Sequence, residues 1–332
     1  MIRRHLLFLI LFVLTVLPVA ANELVLPVFA LNIEGRLGDL WSSEVYLTNP
    51  GDQPVQVEIA RFLPGNITKP APCDFFMAPT RVVPPHSASV WTAAGLATDL
   101  GCAESARGGL VLRADGPVYV TSRLVNRAGM NDDEDSTVLS GRGEAFEAIP
   151  IQRLPDSGIH LLPALMWHRN PCEGGSDFDT FIGFANPGLD PVEVKLDIPH
   201  ESGRAVRIND NDVFLPHSLT IPGGHWRQYR VAPALEDGAQ CGTVESFLLR
   251  VEISAPVAIY ASVIDRKSGD PRTVAPVPLT VSEAPSDSEN RLRAHTPTRH
   301  QSYQGRPERP QIPQIDADPS SRRIDTVSER KR

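Results

Sequence analysis

The sequence predicts an all-β protein of two tandem β-sandwich domains and a disordered C-terminal tail, and three observations carry that prediction. Proline accounts for 31 of 332 residues, and helix interiors reject proline because it lacks an N–H and clashes with the preceding turn. Apolar and polar residues alternate with period two in many short runs, the pattern of strands with one buried face. The chain also repeats itself at a spacing of about 137 residues, as expected when one folding unit is used twice.

The repeat runs in the same order through both units. Leu24-Val25-Leu26-Pro27-Val28 resembles Leu161-Leu162-Pro163-Ala164-Leu165. Glu44 to Gly51 matches Thr180 to Gly188 in pattern, ending in Asn49-Pro50-Gly51 and Asn186-Pro187-Gly188. Val55, Val57 and Ile59 then alternate with polar residues, as do Val192, Val194 and Leu196. Cys102 aligns with Cys241, and Gly109–Arg113 with Ser246–Arg250. Asn-Pro-Gly supplies the turn, since proline presets one backbone angle and glycine accepts a positive one.

From start to end, the chain divides as follows. Residues 1–21 read as a secretory signal: Arg3 and Arg4 precede an apolar run, and Val19-Ala20-Ala21 offers a cleavage site. Residues 22–153 form the first sandwich, with strands expected near 24–32, 42–48, 54–62, 76–83, 87–93, 108–114, 117–125 and 146–153. Residues 154–159 are a linker. Residues 160–282 form the second sandwich, with strands near 160–167, 179–185, 191–198, 212–220, 225–231, 246–252, 256–265 and 273–281. Short helices are expected at 93–100 and 232–237. The tail, 283–332, carries ten basic and eight acidic side chains and few apolar ones, too little apolar surface to offset the entropy of ordering.

The repeated Asn-Pro-Gly-x-x-Pro-Val run and the strand spacing resemble the immunoglobulin-like sandwich domains of bacterial exported proteins. That resemblance covers about 260 residues and implies a fold but no activity. The antibody-type Cys…Trp…Cys spacing is missing.

Export permits disulfides. If successive strands run antiparallel, the loops holding Cys73 and Cys102 lie at one pole of the first unit. Those holding Cys172 and Cys241 lie at one pole of the second. Two intradomain bridges are therefore expected, Cys73–Cys102 and Cys172–Cys241.

Candidate binding residues gather in acidic loops and on tryptophans. Asp132, Asp133 and Asp135 sit in Asn131–Asp135, and Asp210 and Asp212 in Asn209–Asp212. Calcium takes clustered carboxylates, but no Asp-x-Asp-x-Asp-Gly loop is present, so calcium is the minor reading and no cofactor is expected. Trp91 and Trp226 fall on corresponding strands and raise the idea of sugar stacking, against which stands core packing. The overall charge of −8 removes the electrostatic reason to expect nucleic acid. Gly-x-Ser-x-Gly, His-Glu-x-x-His and phosphate-cradling glycine loops are absent.

The expected function is therefore an exported, non-catalytic structural or binding protein of the cell envelope, in the periplasm, at the cell surface or outside, with a protein or glycan partner. The rival readings are a carbohydrate-active enzyme or binding module, with exposed tryptophan beside two carboxylates, and a periplasmic assembly chaperone with a cleft between its domains.

Overall fold

A computed structural model of the chain describes residues 22–34, 40–65, 73, 78–102, 105–126, 143–168, 178–234, 244–265 and 271–279. These residues belong to one compact unit ending at Thr280. Residues 1–21 and 283–332, expected to be a signal segment and a tail, lie outside them.

The described chain is predominantly β. Its first half contains β1 (Asn22–Leu31), β2 (Ile33–Glu34), β3 (Leu40–Asn49), β4 (Val55–Pro64), β5 (Thr80–Val83) and β6 (Ser87–Trp91). A helix, α1 (Ala93–Asp99), is followed by β7 (Ala106–Ala114), β8 (Tyr119–Asn126), β9 (Gly143–Glu147) and β10 (Ile149–Pro150). The second half contains β11 (Gly158–His168), β12 (Phe178–Asn186), β13 (Val192–Asp197), β14 (Ala205–Ile208), β15 (Asn211–Phe214) and β16 (His217–Ile221). It ends with β17 (His225–Pro233), β18 (Val244–Ile253), β19 (Ala258–Asp265), β20 (Pro271–Val274) and β21 (Val277–Pro278).

The two halves share one strand order. In the first, a sheet β10-β1-β7-β4-β5 faces a sheet in which β2 and β6 pair along one edge of β3, with β8 and then β9 on its other side. In the second, β21-β11-β18-β13-β16 faces β15-β14-β17-β12-β19-β20. Reading β1 as β11, β3 as β12 and so on superimposes the two orders, with β2 as an addition to the first half and the β14–β15 hairpin as an addition to the second. All pairings are antiparallel.

Local chemistry repeats with the topology. The β1–β7 register slips between Leu26 and Phe29, and the β11–β18 register slips between Leu162 and Leu165. Each slip falls at a proline, Pro27 or Pro163, which has no N–H to give the ladder and so is accommodated in a bulge. At the Asn-Pro-Gly turns, Asn49 Nδ2 donates to the carbonyls of Gln53 and Val83, while its Oδ1 accepts from Gly51 N–H. Asn186 does the same with Asp190, Ile221 and Gly188. Both asparagines are buried, so an apolar replacement would orphan these backbone groups.

Each half packs its own core. Leu26, Phe29, Leu47, Ile59, Trp91 and Leu110 lie in the first; Leu162, Trp167, Phe184, Leu196, Phe247 and Val251 lie in the second. A third cluster joins them: Val25, Val28, Leu63 and Val111 from the first half meet Ala185, Trp226, Ala258 and Tyr260 from the second. The outer face of β1, β4 and β7 thus lies against the outer face of β12, β17 and β19.

Several elements differ from the sequence expectation: β2 was not expected, the strand expected at 146–153 is β9, β10 and a 3-10 turn at Ile151–Arg153, and the strand expected at 273–281 is β20 and β21 in its described part. The helix expected at 232–237 is not formed in its described part, because β17 continues through Pro233 and pairs with Val206 and Arg207. The strand expected at 212–220 is two strands separated at Leu215 and Pro216, where proline has no N–H to carry the ladder. β14 was not expected, since Ala205–Ile208 is too short to show a period. The residue Leu154, expected in a linker, is buried in the junction cluster, and β11 already begins at Gly158.

Candidate functional site

The junction is the site where unlike chemistry converges. β9 carries Glu144 and Phe146 on one side, both nearly buried. Across from them, β19 and β20 bring Tyr260, Ser262 and Thr273. Ser262 Oγ donates to Glu144 Oε2 at 2.7 Å, and Thr273 Oγ1 donates to Glu144 Oε1 at 2.7 Å. The Ala145 carbonyl, 3.1 Å from the same Thr273 hydroxyl, is the alternative acceptor for its one proton. The Phe146 ring meets Tyr260 edge-on at 5.3 Å. Farther along the junction, Arg227 Nη1 donates to the Gly65 carbonyl at 2.9 Å.

Tyr260 lies flat over Gly183. A Cβ at that position would stand 2.0 Å from the ring, so only glycine admits the tyrosine there. The Tyr260 hydroxyl accepts from Gln228 Nε2 at 3.3 Å. Burial, and then the neighbouring Glu144 charge, hold the hydroxyl's pKa well above the usual tyrosine value. Burial likewise pushes the Glu144 carboxyl up to about 7, against the opposing effect of the two donated hydroxyls.

Beside this cluster is a cavity of about 190 Å³. Its wall is mostly apolar and drawn from both halves: Phe29, Ile33, Trp41 and Phe146 from the first, Phe181 and Trp226 from the second. Glu144, Ser262, Gln228 and Arg107 supply its polar groups. Of these, Arg107 is exposed and Glu144 is not.

The structure disperses the residues singled out from the sequence. Cys73 and Cys102 form a disulfide, with Cys73 packed beside the core that holds Leu96 and Leu100. Cys172 and Cys241 lie outside the described residues, as do Asp132, Asp133 and Asp135. Asn209 and Asp210, both at positive φ, form the two-residue turn between β14 and β15, the type I′ geometry for which Asn and Asp are suited. The Asn209–Asp212 run is thus a hairpin turn with its charges matched: Asp210 pairs with Arg230 at 3.3 Å and Asp212 with Arg207 at 3.5 Å. Arg230 also pairs with Asp179 at 2.7 Å. Among the described residues, no group of three or more potential metal ligands converges.

Trp91 and Trp226 are core residues, at 0% and 3% exposure, and neither offers an indole face to solvent. Trp91 Nε1 donates to Asp99 Oδ2 at 2.9 Å, and the Arg81 guanidinium lies 5.1 Å from its ring. Trp167 is also buried, stacked on Phe247 at 4.2 Å. Trp226, by contrast, lines the junction cavity.

Glu144 was not anticipated. Its two hydroxyl partners stand 118 and 129 residues away, and no motif surrounds it. The covered sheet face did leave a signal. Phe181-Ile182-Gly183-Phe184-Ala185 is apolar on both faces, the pattern of a strand buried on both sides.

No family model, curated protein or solved structure matches this chain. Among the described residues, no helix is long and apolar enough to cross a membrane.

Proposed function

We propose that the chain is an exported, non-catalytic binding or structural protein of the cell envelope, built from two copies of one immunoglobulin-like sandwich. The shared strand order, the matched proline bulges and the matched asparagine turns support descent from one unit. The Cys73–Cys102 bridge supports an oxidising compartment, where such bonds persist.

The observation that carries the binding role is the chemistry of the sheet edges. β5 and β15 each end a sheet, and each presents a large apolar side chain to solvent, Val82 at 60% and Phe214 at 72% exposure. An unpaired edge with exposed apolar residues is suited to accept a strand from a protein partner. Burial of Trp91 and Trp226 favours a protein over a glycan as that partner.

The test places a photo-crosslinking residue at Val82, at Phe214 and, as a control, at the exposed turn residue Leu189, in cells of the source organism. A discrete adduct at either edge position and none at Leu189 supports the reading. Identical patterns at all three, or none, removes it. The protein recovered from the same cells should begin at Asn22 with Cys73 and Cys102 oxidised; an intact leader with reduced thiols removes the export claim.

A further inference from the structure

We propose that the junction cavity is a binding site for a small organic ammonium ion, an amine carrying one aromatic ring or a short alkyl body. The inference rests on the cavity's own chemistry and holds wherever the chain resides.

Size sets the first limit. A cavity of about 150 Å³ by a comparable measure accepts a benzene ring, and this one measures about 190 Å³. Its wall is largely aliphatic and aromatic, so it favours an apolar body by removing that surface from water.

Charge sets the second. The carboxyl of Glu144 is buried in the wall. Each of its oxygens accepts one hydroxyl proton, from Ser262 or Thr273. An ionised carboxylate has about four acceptor positions, so acceptor capacity remains for an ammonium. Phe146, Phe181 and Trp226 also line the space, and an aromatic wall accommodates a cation better than an anion. Arg107 opposes a cation, but its side chain is exposed and its charge is screened by water and salt. A charge held in a buried wall acts through less solvent, so Glu144 outweighs Arg107.

Glu144 titrates near neutrality, and an ammonium favours its ionised form. Amine binding therefore expels the carboxyl proton and tightens as pH rises through 7. Tyr260, packed on Phe146 beside the cavity, ionises well above neutrality and does not change there.

Titration calorimetry on the full-length protein with benzylamine, benzyl alcohol and benzoate tests the site. At pH 8, benzylamine should bind saturably and roughly tenfold more tightly than benzyl alcohol, as expected for a charge-assisted contact. Its affinity should fall several-fold at pH 6, and benzoate should not bind. E144Q should remove the preference for the amine while retaining weak alcohol binding. I264W, which fills the cavity from its wall, should abolish both. The proposal fails if benzyl alcohol or benzoate binds as tightly as benzylamine, if E144Q leaves the amine preference intact, if I264W leaves benzylamine binding unchanged, or if benzylamine gives no saturable heat at millimolar concentration.

Discussion

β3 and β12 occupy the same place in the two halves, yet their outer faces are opposite in character. On β3 the outward residues are Glu44, Tyr46 and Thr48; on β12 the corresponding residues are Phe181, Gly183 and Ala185. The neighbouring strands repeat the contrast. Tyr119, Thr121 and Arg123 on β8 stand where β19 has Ala258, Tyr260 and Ser262. Tyr119 is 70% exposed, whereas Ala258 and Tyr260 are buried. One framework thus tolerates two surfaces, because inward residues specify the sandwich and outward residues specify what covers it.

The contrast also bears on which faces can stack. The junction joins unlike faces, and a head-to-tail contact of that kind propagates unless its free faces are made unsuitable. The polar outer face of β3 and β8 removes the apolar surface that such a contact needs. Lys195 and Glu252, outward on β13 and β18 and paired with each other in register, do the same for the other end.

The largest effect should come from making the two faces alike. Gly183→Leu displaces Tyr260 from the junction and should cost about 3–5 kcal/mol in urea unfolding, the range of a lost core aromatic. The matched change in the first half, Tyr46→Leu, should cost under about 1 kcal/mol because that face is only partly buried. Equal losses would dissolve the distinction between the faces.

In the first half, the Cys73–Cys102 disulfide closes a loop of 29 residues. Cys102→Ala should lower stability by about 3–4 kcal/mol under oxidising conditions, by chain-entropy reasoning. The change should vanish when the wild type is compared after reduction.

Glu144 gives the junction a pH dependence of definite sign. Its carboxyl titrates near 7 in the folded chain against an ordinary 4.5, so the folded state holds the proton more tightly. Its contribution is most favourable below pH 4.5, declines as pH rises to 7, and is level above that. The span is about 3 kcal/mol. Subtracting the E144Q curve isolates it; parallel curves between pH 4.5 and 7 would place Glu144 outside the junction's desolvated interior.

The smallest effects probe what the halves share. Asn49→Ala and Asn186→Ala each leave buried carbonyls without a donor and should cost about 1–3 kcal/mol apiece, by similar amounts. A cost confined to one of them would show that the two turns do not carry equivalent loads.

Much of the framework was legible because it depends on neighbours in sequence. Alternation placed β4 and β13, and Asn-Pro-Gly marked two turns. Residues 93–100 read as helical, and α1 spans Ala93–Asp99, with Thr92 Oγ1 accepting from Gly95 N–H as its cap. The site was less legible. Trp226 was noticed as a tryptophan, but its place at the junction depends on how two sheet faces meet. The unbroken apolar runs of β12 and β19 announced a second covered face, yet they did not say what covers it.

The sequence by itself determined that the chain is built of strands, and it placed the Asn-Pro-Gly turns and the helix after Thr92, since backbone angles and side-chain period are set within a few residues. Tertiary structure alone decided that the halves meet face to face, that Tyr260 fills the space over Gly183, and that Glu144 is desolvated between two distant hydroxyls. Burial and charge coupling depend on groups brought together from more than a hundred residues apart, and no local pattern records that distance.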